Sequence, residues 1–254
     1  MVVSACARHS GDTASLSLGI APVFETRVEI DTGTSSHSDF HIADFNGDGL
    51  LDMAVISLTG EFQVLVGNGS TMVPGQALAI NGLPIWMAGG DFDGDGDEDL
   101  VIVRNDVDET NIWLNDGDAN FQMSGTMTGA GSGALAVAVG DLNNDGIIDF
   151  FIGGAKGESS AIFVSKNNQY EKIIDPFSKK SAAEDVVAEF FDSDNDGDLD
   201  LYMVSGGNQF EENSSLYNDR ILINDGKGNF TLKEGVLPLS TSNGSVCLSA
   251  GQYP

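Results

Sequence analysis

The sequence predicts an all-β fold, a β-propeller of four-stranded antiparallel blades, from a repeated acidic motif and from the apolar runs around it. The motif D-x-[DN]-x-D-G-x-x-D occurs four times, beginning at Asp44, Asp91, Asp141 and Asp192, so successive copies start 47, 50 and 51 residues apart. Several short strands repeated at about 50 residues is the spacing of a propeller blade. We therefore expect four full repeats.

Apolar runs of strand length stand on both sides of each acidic motif. Those before it are FHIA (40–43), IWMAGG (85–90), LAVAVG (135–140) and VVAEFF (186–191). Those after it are MAVIS (53–57), LVIVR (100–104), FFIGG (150–154) and LYMVSG (201–206). Because the runs after the motif are continuous rather than alternating, they predict strands buried on both faces. No segment predicts a helix.

A third and a fourth strand follow in each repeat. The third-strand segments are FQVLVGNG, NIWLNDG, AIFVSKN and RILINDG, and GDANFQMS and GKGNFTLKE are the clearest fourth strands. Asn-Gly and Asp-Gly pairs between them are typical of tight hairpins. A β-solenoid, whose repeats are usually shorter, and a β-sandwich, which needs no exact repetition of the loop, are the alternatives.

Both ends of the chain resemble partial blades. PVFETRVEI (22–30) is similar to a fourth strand and SVCLSAG (245–251) to a first strand. These segments either form one composite blade that closes a small ring or belong to a longer propeller of which this chain is a fragment, and we favour the fragment. The propeller domain is expected to span residues 21–254.

Residues 1–20 are expected to be a disordered tether or the remnant of a lipoprotein signal. VSAC, ending at Cys6, resembles the site before a lipidated cysteine, and the polar ARHSGDTASLS follows it. The basic start and apolar core of a signal peptide do not precede it. A truncated lipoprotein with a lipid anchor and a plain disordered N-terminus both remain open.

The charge balance limits the partners. The chain of 254 residues carries 39 acidic and 11 basic residues, a net charge of −28. Nucleic acids and anionic membrane surfaces need clustered Lys or Arg and are therefore poor partners. No apolar run approaches the roughly 18 residues that a transmembrane helix requires. The two cysteines, Cys6 and Cys247, do not make a disulfide framework.

The acidic loop predicts a calcium site. In the loop that starts at Asp91, side chains at positions 1, 3 and 5 can converge, Gly at position 6 permits a sharp turn, and position 9 closes the site. The position-7 residue would contribute its backbone carbonyl. About six oxygens suit Ca²⁺ better than Mg²⁺ or Zn²⁺. These residues are Asp91, Asp93, Asp95, Asp97 and Asp99, whereas Glu98 is expected to be only solvated.

An EF-hand is excluded by position 12 of the loop. An EF-hand needs Glu there and flanking helices, but the four loops have Val55, Ile102, Ile152 and Met203. Asp, Asn and Gly also form ordinary turns. The motif recurs in four copies, however, and the carboxylates within each loop would repel one another. Both observations disfavour the interpretation that these loops are only turns.

The segments GDLNNDGIIDFFIGGA and ADFNGDGLLDMAVIS resemble FG-GAP and VCBS-type repeats of integrin-like β-propellers, and RILINDGKGNFT is similar to the bacterial members. The resemblance covers roughly residues 22–251 and implies one Ca²⁺ in each loop, about four in all. The remaining implied ligands, with position 7 contributing its carbonyl, are Asp44, Asn46, Asp48, Leu50 and Asp52; Asp141, Asn143, Asp145, Ile147 and Asp149; and Asp192, Asp194, Asp196, Asp198 and Asp200. The family's functions include adhesion, ligand binding and modules attached to enzymes. A fifth acidic loop does not follow Gly251, which puts ring closure in doubt.

Residues outside the acidic loops do not form a recognisable catalytic or metal-binding motif. His37 and His41 would lie about 13 Å apart along a strand, too far to share a metal. No catalytic motif is present, so we expect no enzyme activity. The insertion 206–219 is either a ligand-binding loop or a longer solvated loop, and Trp86 and Trp113 are expected in the core.

The leading functional hypothesis is a calcium-binding propeller that acts as a binding or adhesion module for a protein or glycan ligand. Ca²⁺ sites of modest affinity stay filled outside the cytosol, which favours secretion or the cell envelope, including an outer-membrane lipoprotein. The alternative is a polysaccharide-binding or polysaccharide-degrading protein, or a fragment of one.

Overall fold

The computed structural model describes residues 14–15, 29–30, 32, 36–129, 131–155, 157–167, 169–173, 183–206, 214–235 and 237. Strand β1 (Ala14–Ser15) pairs antiparallel with β2 (Glu29–Ile30). Otherwise the predicted end strands 22–30 and 245–251, and nearly all of the predicted tether, lie outside the described residues.

Four successive four-stranded antiparallel sheets make up the described chain from residue 37 onward, and we call them blades 1 to 4. Blade 1 contains β3 (His37–Ala43), β4 (Asp52–Ser57), β5 (Glu61–Gly67) and β6 (Met72–Ala79). Blade 2 contains β7 (Pro84–Gly90), β8 (Asp99–Arg104), β9 (Thr110–Asn115) and β10 (Phe121–Met127). Blade 3 contains β11 (Ala136–Gly140), β12 (Asp149–Gly153), β13 (Ala161–Lys166) and β14 (Gln169–Ile173). Blade 4 contains β15 (Glu184–Phe191), β16 (Asp200–Gly206), β17 (Arg220–Asn224) and β18 (Phe230–Leu232).

This arrangement confirms the predicted all-β fold of propeller-type blades. Each blade is a simple meander in which strands consecutive in sequence pair with each other. The first strands of neighbouring blades also contact one another, β3 with β7, β7 with β11 and β11 with β15. The blades therefore follow one another in chain order around their first strands.

The second strand of each blade is buried on both faces, as its continuous apolar run predicts. In β8, Leu100 and Ile102 pack into a cluster with residues of blade 1. The alternate residues Val101 and Val103 pack into a cluster with blade 3. Because side chains alternate across a strand, one strand contributes to the cores on both sides of its blade.

Aromatic side chains fill the cores between blades. Phe62 of blade 1 stacks on Trp113 of blade 2, with ring centroids 6.0 Å apart and an interplanar angle of 17°. Phe45 meets Phe121 of blade 2 edge to face at 5.2 Å. The prediction that Trp113 lies in the core is therefore confirmed, since only 7% of its surface is exposed.

The prediction that Trp86 lies in the core is wrong, because 39% of its surface is exposed. Trp86 belongs to β7, which pairs with β8 on one side only. The register between β7 and β8 shifts between Pro84 and Trp86. From Trp86 onward the pairing is regular, with Trp86 opposite Val103, so the exposure of Trp86 goes with its position near the start of an edge strand.

Of the insertion 206–219 in blade 4, the structure describes Gly206, which ends β16, and residues 214–219. A short 3₁₀ helix, Ser215–Tyr217, is capped by Ser214, whose side chain accepts a hydrogen bond from the Leu216 N–H. Asp219 then accepts hydrogen bonds from the Tyr202 hydroxyl and the Ser205 N–H, at 2.9 and 3.1 Å. Within the described ranges, no helix has the length and apolar composition that crossing a bilayer requires.

Candidate metal centres

Each acidic motif forms the loop between the first and second strands of its blade, and we number the loops 1 (44–52), 2 (91–99), 3 (141–149) and 4 (192–200). In loop 2 the carboxylate of Asp91 accepts the N–H groups of Gly94 at 2.6 Å and Gly96 at 3.0 Å. Asp93 accepts the N–H of Asp95 at 3.1 Å, and Asp95 accepts that of Asp97 at 3.0 Å. The alternating aspartates thus wind the backbone into a tight turn through side-chain to backbone hydrogen bonds.

Two positions of each loop have positive φ angles. Position 6 is always glycine, with φ of 84° at Gly49, 97° at Gly96, 87° at Gly146 and 96° at Gly197. Position 4 is also left-handed, and is occupied by Gly47, Gly94, Asn144 and Asn195. Glycine and asparagine are the residues that adopt this region most readily. The requirement at position 6 follows from the motif, whereas we did not predict the one at position 4.

The position-9 aspartates, Asp52, Asp99, Asp149 and Asp200, are fully buried and hold each loop to its blade. In loop 2, Asp99 Oδ2 accepts the N–H of Phe92 at 2.9 Å and Asp99 Oδ1 accepts the N–H of Asn115 at 2.8 Å. The other three aspartates make the same pair of bonds, to position 2 of the loop and to the end of the third strand. Position 9 therefore also joins three segments of the blade.

Burial raises the pKa of three of these carboxyls, those of Asp52, Asp99 and Asp149. The pKa of Asp99 and that of Asp149 are each raised to about 7, mainly by burial and further by the charges of neighbouring loop aspartates. The pKa of Asp52 is raised for the same reasons. A cation held by these oxygens would favour the ionised form. Among the described residues, no salt bridge involves a position-9 aspartate.

Loops 2 and 4 bring three carboxylates to one point. Asp91, Asp93 and Asp99 place one oxygen each within 4.8 Å of one another, and Asp192, Asp194 and Asp200 do the same. Oxygen donors from carboxylates at this spacing fit a hard divalent cation such as Ca²⁺. The donor set thus fits the ion that the sequence predicts.

Loops 1 and 3 have asparagine at position 3. Asn46 Oδ1 accepts the N–H of Asp48 at 3.0 Å, and Asn143 Oδ1 accepts that of Asp145 at the same distance. In loop 3 the Asn143 amide also donates to Asp145 Oδ2 at 3.0 Å, and the Ser165 hydroxyl donates to that oxygen at 2.5 Å. At positions 1, 3, 5 and 9, these two loops therefore offer three carboxylates, whereas loops 2 and 4 offer four.

Side chains at positions 5 and 7 take other partners in the loops. The position-5 carboxylates of Asp48, Asp95, Asp145 and Asp196 each accept the position-7 N–H. Asp97 at position 7 lies beside Gly117. Asp198 at position 7 lies beside Gly226 and accepts a hydrogen bond from the Asn144 amide at 3.1 Å. Ligation by the position-7 carbonyls of Leu50, Asp97, Ile147 and Asp198 stays a prediction.

The expectation that Glu98 is only solvated is wrong. Its carboxylate lies 2.9 Å from His41 Nε2 on the first strand of blade 1. The missing side chain of Gly89 leaves the room for this pair, since a Cβ there would clash with both residues. Position 8 of the loop therefore contacts the preceding blade, a relationship between repeats that the motif of one repeat does not reveal.

Two residues that sequence reasoning missed are Asn115 and Asn224, at the ends of the third strands of blades 2 and 4. Both stand in an Asn-Asp-Gly sequence that indicated only a turn. Each buried amide donates to the carbonyl of a position-2 residue in the preceding blade's acidic loop, at 2.8 Å in both cases. The recurrence of Asn-Asp-Gly at this point of both blades was the available signal.

Comparison with known families identifies the repeats. Residues 44–102 and 91–152 match the model of the FG-GAP-like repeat. These segments run from loop 1 to the second strand of blade 2 and from loop 2 to the second strand of blade 3. These two overlapping segments are therefore FG-GAP-like repeats. A comparison with curated protein sequences finds no match.

Solved structures of low sequence identity share the fold. A crystal structure of BBS1N in complex with ARL6DN, soaked with lead, has a TM-score of 0.53 and 9% identity, covering 80% of this chain and 56% of that chain. An Agrocybe aegerita lectin that recognises non-reducing terminal N-acetylglucosamine has a TM-score of 0.52 and 19% identity, covering 76% of this chain and 50% of that chain. The chain thus spans about half the length of these structures.

Proposed function

We propose that this protein with FG-GAP-like repeats is a calcium-stabilised β-propeller module that binds a protein or glycan ligand outside the cytosol and has no enzyme activity. The observation that carries the calcium assignment is the convergence of Asp91, Asp93 and the fully buried Asp99 on one point. Their mutual repulsion opposes folding unless a cation lies between them. The same motif in all four loops supports about four ions.

The proposed role of calcium is structural. An ion that binds the folded but not the unfolded chain adds about 2.7 kcal/mol per site to the free energy of unfolding when it is present at a hundredfold excess over its Kd. Calcium sites in extracellular modules have Kd values of about 10⁻⁴ to 10⁻³ M. Such sites are filled outside the cytosol, which supports secretion or attachment to the cell envelope.

Thermal unfolding in EDTA and in millimolar Ca²⁺ tests the calcium assignment. We expect a higher midpoint in Ca²⁺, and an unchanged midpoint would refute the assignment. Asp93→Ala should remove one bound ion and lower the midpoint in Ca²⁺. Asp97→Ala is the matched control. It removes one negative charge from the same loop, but the side chain that it removes lies beside Gly117 rather than in the cluster of three carboxylates. Equal effects of the two substitutions would contradict the proposed ligand set.

The exposed ring of Trp86 supports a ligand surface at the end of blade 2 opposite the acidic loops. Trp86 is 39% exposed near the start of β7, and Leu83, just before that strand, is 44% exposed. An aromatic ring with a polar edge suits contacts with either sugars or proteins. The lectin neighbour recognises N-acetylglucosamine and the BBS1N neighbour is bound to ARL6DN, so both ligand classes occur on this fold.

A glycan array and a protein pull-down identify the ligand, and the binding of that ligand to the Trp86→Ala variant then tests this surface. We expect Trp86→Ala to weaken binding at least about tenfold, as truncation of a central aromatic contact does. Met123→Ala is the control, because Met123 is 51% exposed on the outermost strand of the same blade. If Trp86→Ala binds like the unchanged protein, the ligand surface lies elsewhere.

The absence of enzyme activity is part of the same proposal. The clusters of three carboxylates that the described structure brings together are those of loops 2 and 4, where the proposed calcium ions occupy them. Incubation of any bound polysaccharide with the protein should leave its chain length unchanged. Release of shorter chains would favour a polysaccharide-degrading enzyme.

A further inference from the structure

A continuous path of hydrogen bonds joins the position-9 aspartates of loops 1 and 2. The Phe45 N–H donates to Asp52 Oδ2 at 3.0 Å. The carbonyl of Phe45 accepts the side-chain amide of Asn115 at 2.8 Å, and the backbone N–H of Asn115 donates to Asp99 Oδ1 at 2.8 Å. All four residues are at most 4% exposed. Asn115 therefore holds a carboxylate of its own blade with its backbone and the preceding blade's loop with its side chain.

The same path recurs between loops 3 and 4. The Leu142 N–H donates to Asp149 Oδ2 at 2.8 Å, and the Leu142 carbonyl accepts the Asn224 amide at 2.8 Å. The backbone N–H of Asn224 donates to Asp200 Oδ1 at 2.9 Å. A turn N–H reinforces each contact, from Ala119 to the Phe45 carbonyl at 3.1 Å and from Gly228 to the Leu142 carbonyl at 3.0 Å. Because the same arrangement occurs twice, it is a recurring feature of the contact between neighbouring blades.

Loops 2 and 3 are connected differently. The equivalent residue of blade 3 is Ser165, next to the last residue of the third strand, and its hydroxyl donates to Asp145 within its own blade. The Phe92 carbonyl instead accepts the hydroxyl of Tyr170 at 3.1 Å, and that hydroxyl also lies 2.7 Å from the Ile148 carbonyl. The Ile148 N–H also donates directly to the Asp91 carbonyl at 2.9 Å. Loops 2 and 3 are therefore joined by Tyr170 and a backbone hydrogen bond, whereas in the described part of the chain the asparagine path joins loop 1 to loop 2 and loop 3 to loop 4.

We propose that Asn115 and Asn224 are positioning residues that couple calcium binding within these two pairs of loops. This inference rests on the proposed calcium sites. An ion in loop 2 fixes Asp99, and with it the backbone of Asn115, whose amide then fixes Phe45 and thereby Asp52. When an ion then binds loop 1, its position-9 ligand, Asp52, is already ordered. Binding at one loop therefore lowers the ordering cost at the other, which is positive cooperativity.

Four backbone amides can report the loops one by one. The N–H groups of Gly49, Gly96, Gly146 and Gly197 each donate to the position-1 carboxylate of their own loop. Their signals in spectra of ¹⁵N-labelled protein should shift when that loop binds Ca²⁺. In a titration of calcium-free protein, we expect Gly49 and Gly96 to respond together. Disabling loop 2 with Asp93→Ala should weaken Ca²⁺ binding at loop 1 about fivefold or more, the lower end of typical allosteric couplings.

Removal of the Asn115 amide should abolish that effect. In an Asn115→Ala background, Asp93→Ala should leave the affinity of loop 1 unchanged, while Gly146 and Gly197 still respond together. Asn115→Ser supplies a second variant, because the equivalent residue of blade 3 is Ser165. Asn111→Ala is the matched control, since Asn111 is 5% exposed on the same strand and its amide donates to Thr126 of the same blade.

The outcomes separate this inference from the proposed function. Four glycine signals that respond to Ca²⁺ independently of one another, or a coupling that survives in both Asn115 variants, overturn the inference but leave the calcium sites standing. Glycine signals that do not respond to Ca²⁺ at all overturn both. Loss of the coupling in Asn111→Ala as well would show that it depends on general stability, which also overturns the role of Asn115.

Discussion

Ile148 lies against the α-carbon of Gly90, so closely that a Cβ at Gly90 would stand 2.9 Å from two carbon atoms of its side chain. Ile148 is position 8 of loop 3, and Gly90 is the last residue of the first strand in blade 2. Leu199, at position 8 of loop 4, lies against Gly140 of blade 3 in the same way, since a Cβ at Gly140 would stand 2.8 Å from a methyl carbon of Leu199. In blades 2 and 3, glycine at the end of the first strand therefore allows the next blade's loop to approach closely.

Gly90→Ala should destabilise the protein by about 1–3 kcal/mol, the usual cost of forcing an extra carbon into a well-packed contact. Urea unfolding in saturating Ca²⁺ measures the effect. Gly125→Ala is the control, because a Cβ there would meet only the Met127 methyl at an ordinary 3.5 Å. Similar midpoints for the two variants would show that the contact between Ile148 and Gly90 yields easily.

Asp99→Asn should destabilise the protein even in EDTA. Both carboxylate oxygens of Asp99 accept buried N–H groups, from Phe92 and Asn115. An asparagine amide has one acceptor oxygen, so one N–H would face an NH₂ group, and an unsatisfied buried donor costs about 1–3 kcal/mol. Asp97→Asn makes the same change of charge in the same loop at a residue without this role. Equal unfolding free energies for the two variants in EDTA would contradict this role of Asp99.

Removal of Arg220 should be strongly destabilising. Arg220 and Asp185 form an ion pair in which each side chain is 4% exposed, and Asp185 also accepts the Ser160 hydroxyl. Arg220→Met leaves a buried carboxylate without its cation and should cost about 3–5 kcal/mol. Lys166→Met, which breaks an ion pair exposed at 62% on both sides, should cost under about 1 kcal/mol.

A double variant distinguishes the cause of that loss. Combining Arg220→Met with Asp185→Leu removes both charges and should recover much of the stability, since apolar replacements of buried ion pairs are often tolerated. Chemical denaturation of the two single variants and the double variant measures the coupling. Additive losses would show that packing, rather than the unpaired charge, causes the effect.

Asp39 should make stability depend on pH below neutrality. Burial raises the pKa of Asp39 to about 6, although the N–H groups of Met87 and Phe40 donate to its carboxylate and oppose the shift. The folded chain therefore binds this proton more tightly than the unfolded chain. Its contribution is fully present below about pH 4 and is lost as the pH rises through about 6.

Asp39→Asn cannot ionise, so its stability relative to the unchanged protein should increase between pH 4 and pH 7. The change should be about 1–3 kcal/mol, because one unit of pKa shift corresponds to about 1.4 kcal/mol. The two proteins differ only at this side chain, so pH-dependent contributions from the rest of the chain largely cancel in the difference. A difference in unfolding free energy that stays constant over this range would rule out the raised pKa.

The strands were predictable because their signals are local. LVIVR (100–104) has the continuous apolar pattern of a strand buried on both faces, and β8 spans Asp99–Arg104 with nearly every residue buried. Trp86 was misplaced because it lies near the start of an edge strand, where no local pattern reveals how little of the side chain the neighbouring blades cover. Glu98 was misjudged because its partner, His41, is 57 residues away.

The sequence by itself determined the four blades, the acidic loops and the oxygen chemistry of those loops, because residue spacing within one repeat sets turn geometry and ligand type. Only the tertiary structure decided how the loops relate to one another. It placed Asn115 between Phe45 and Asp99 and Ile148 against Gly90, contacts that depend on the packing of one blade on the next. The sequence of a single repeat does not predict these contacts between blades, because the distances between blades are set by the cores that fill the space between them.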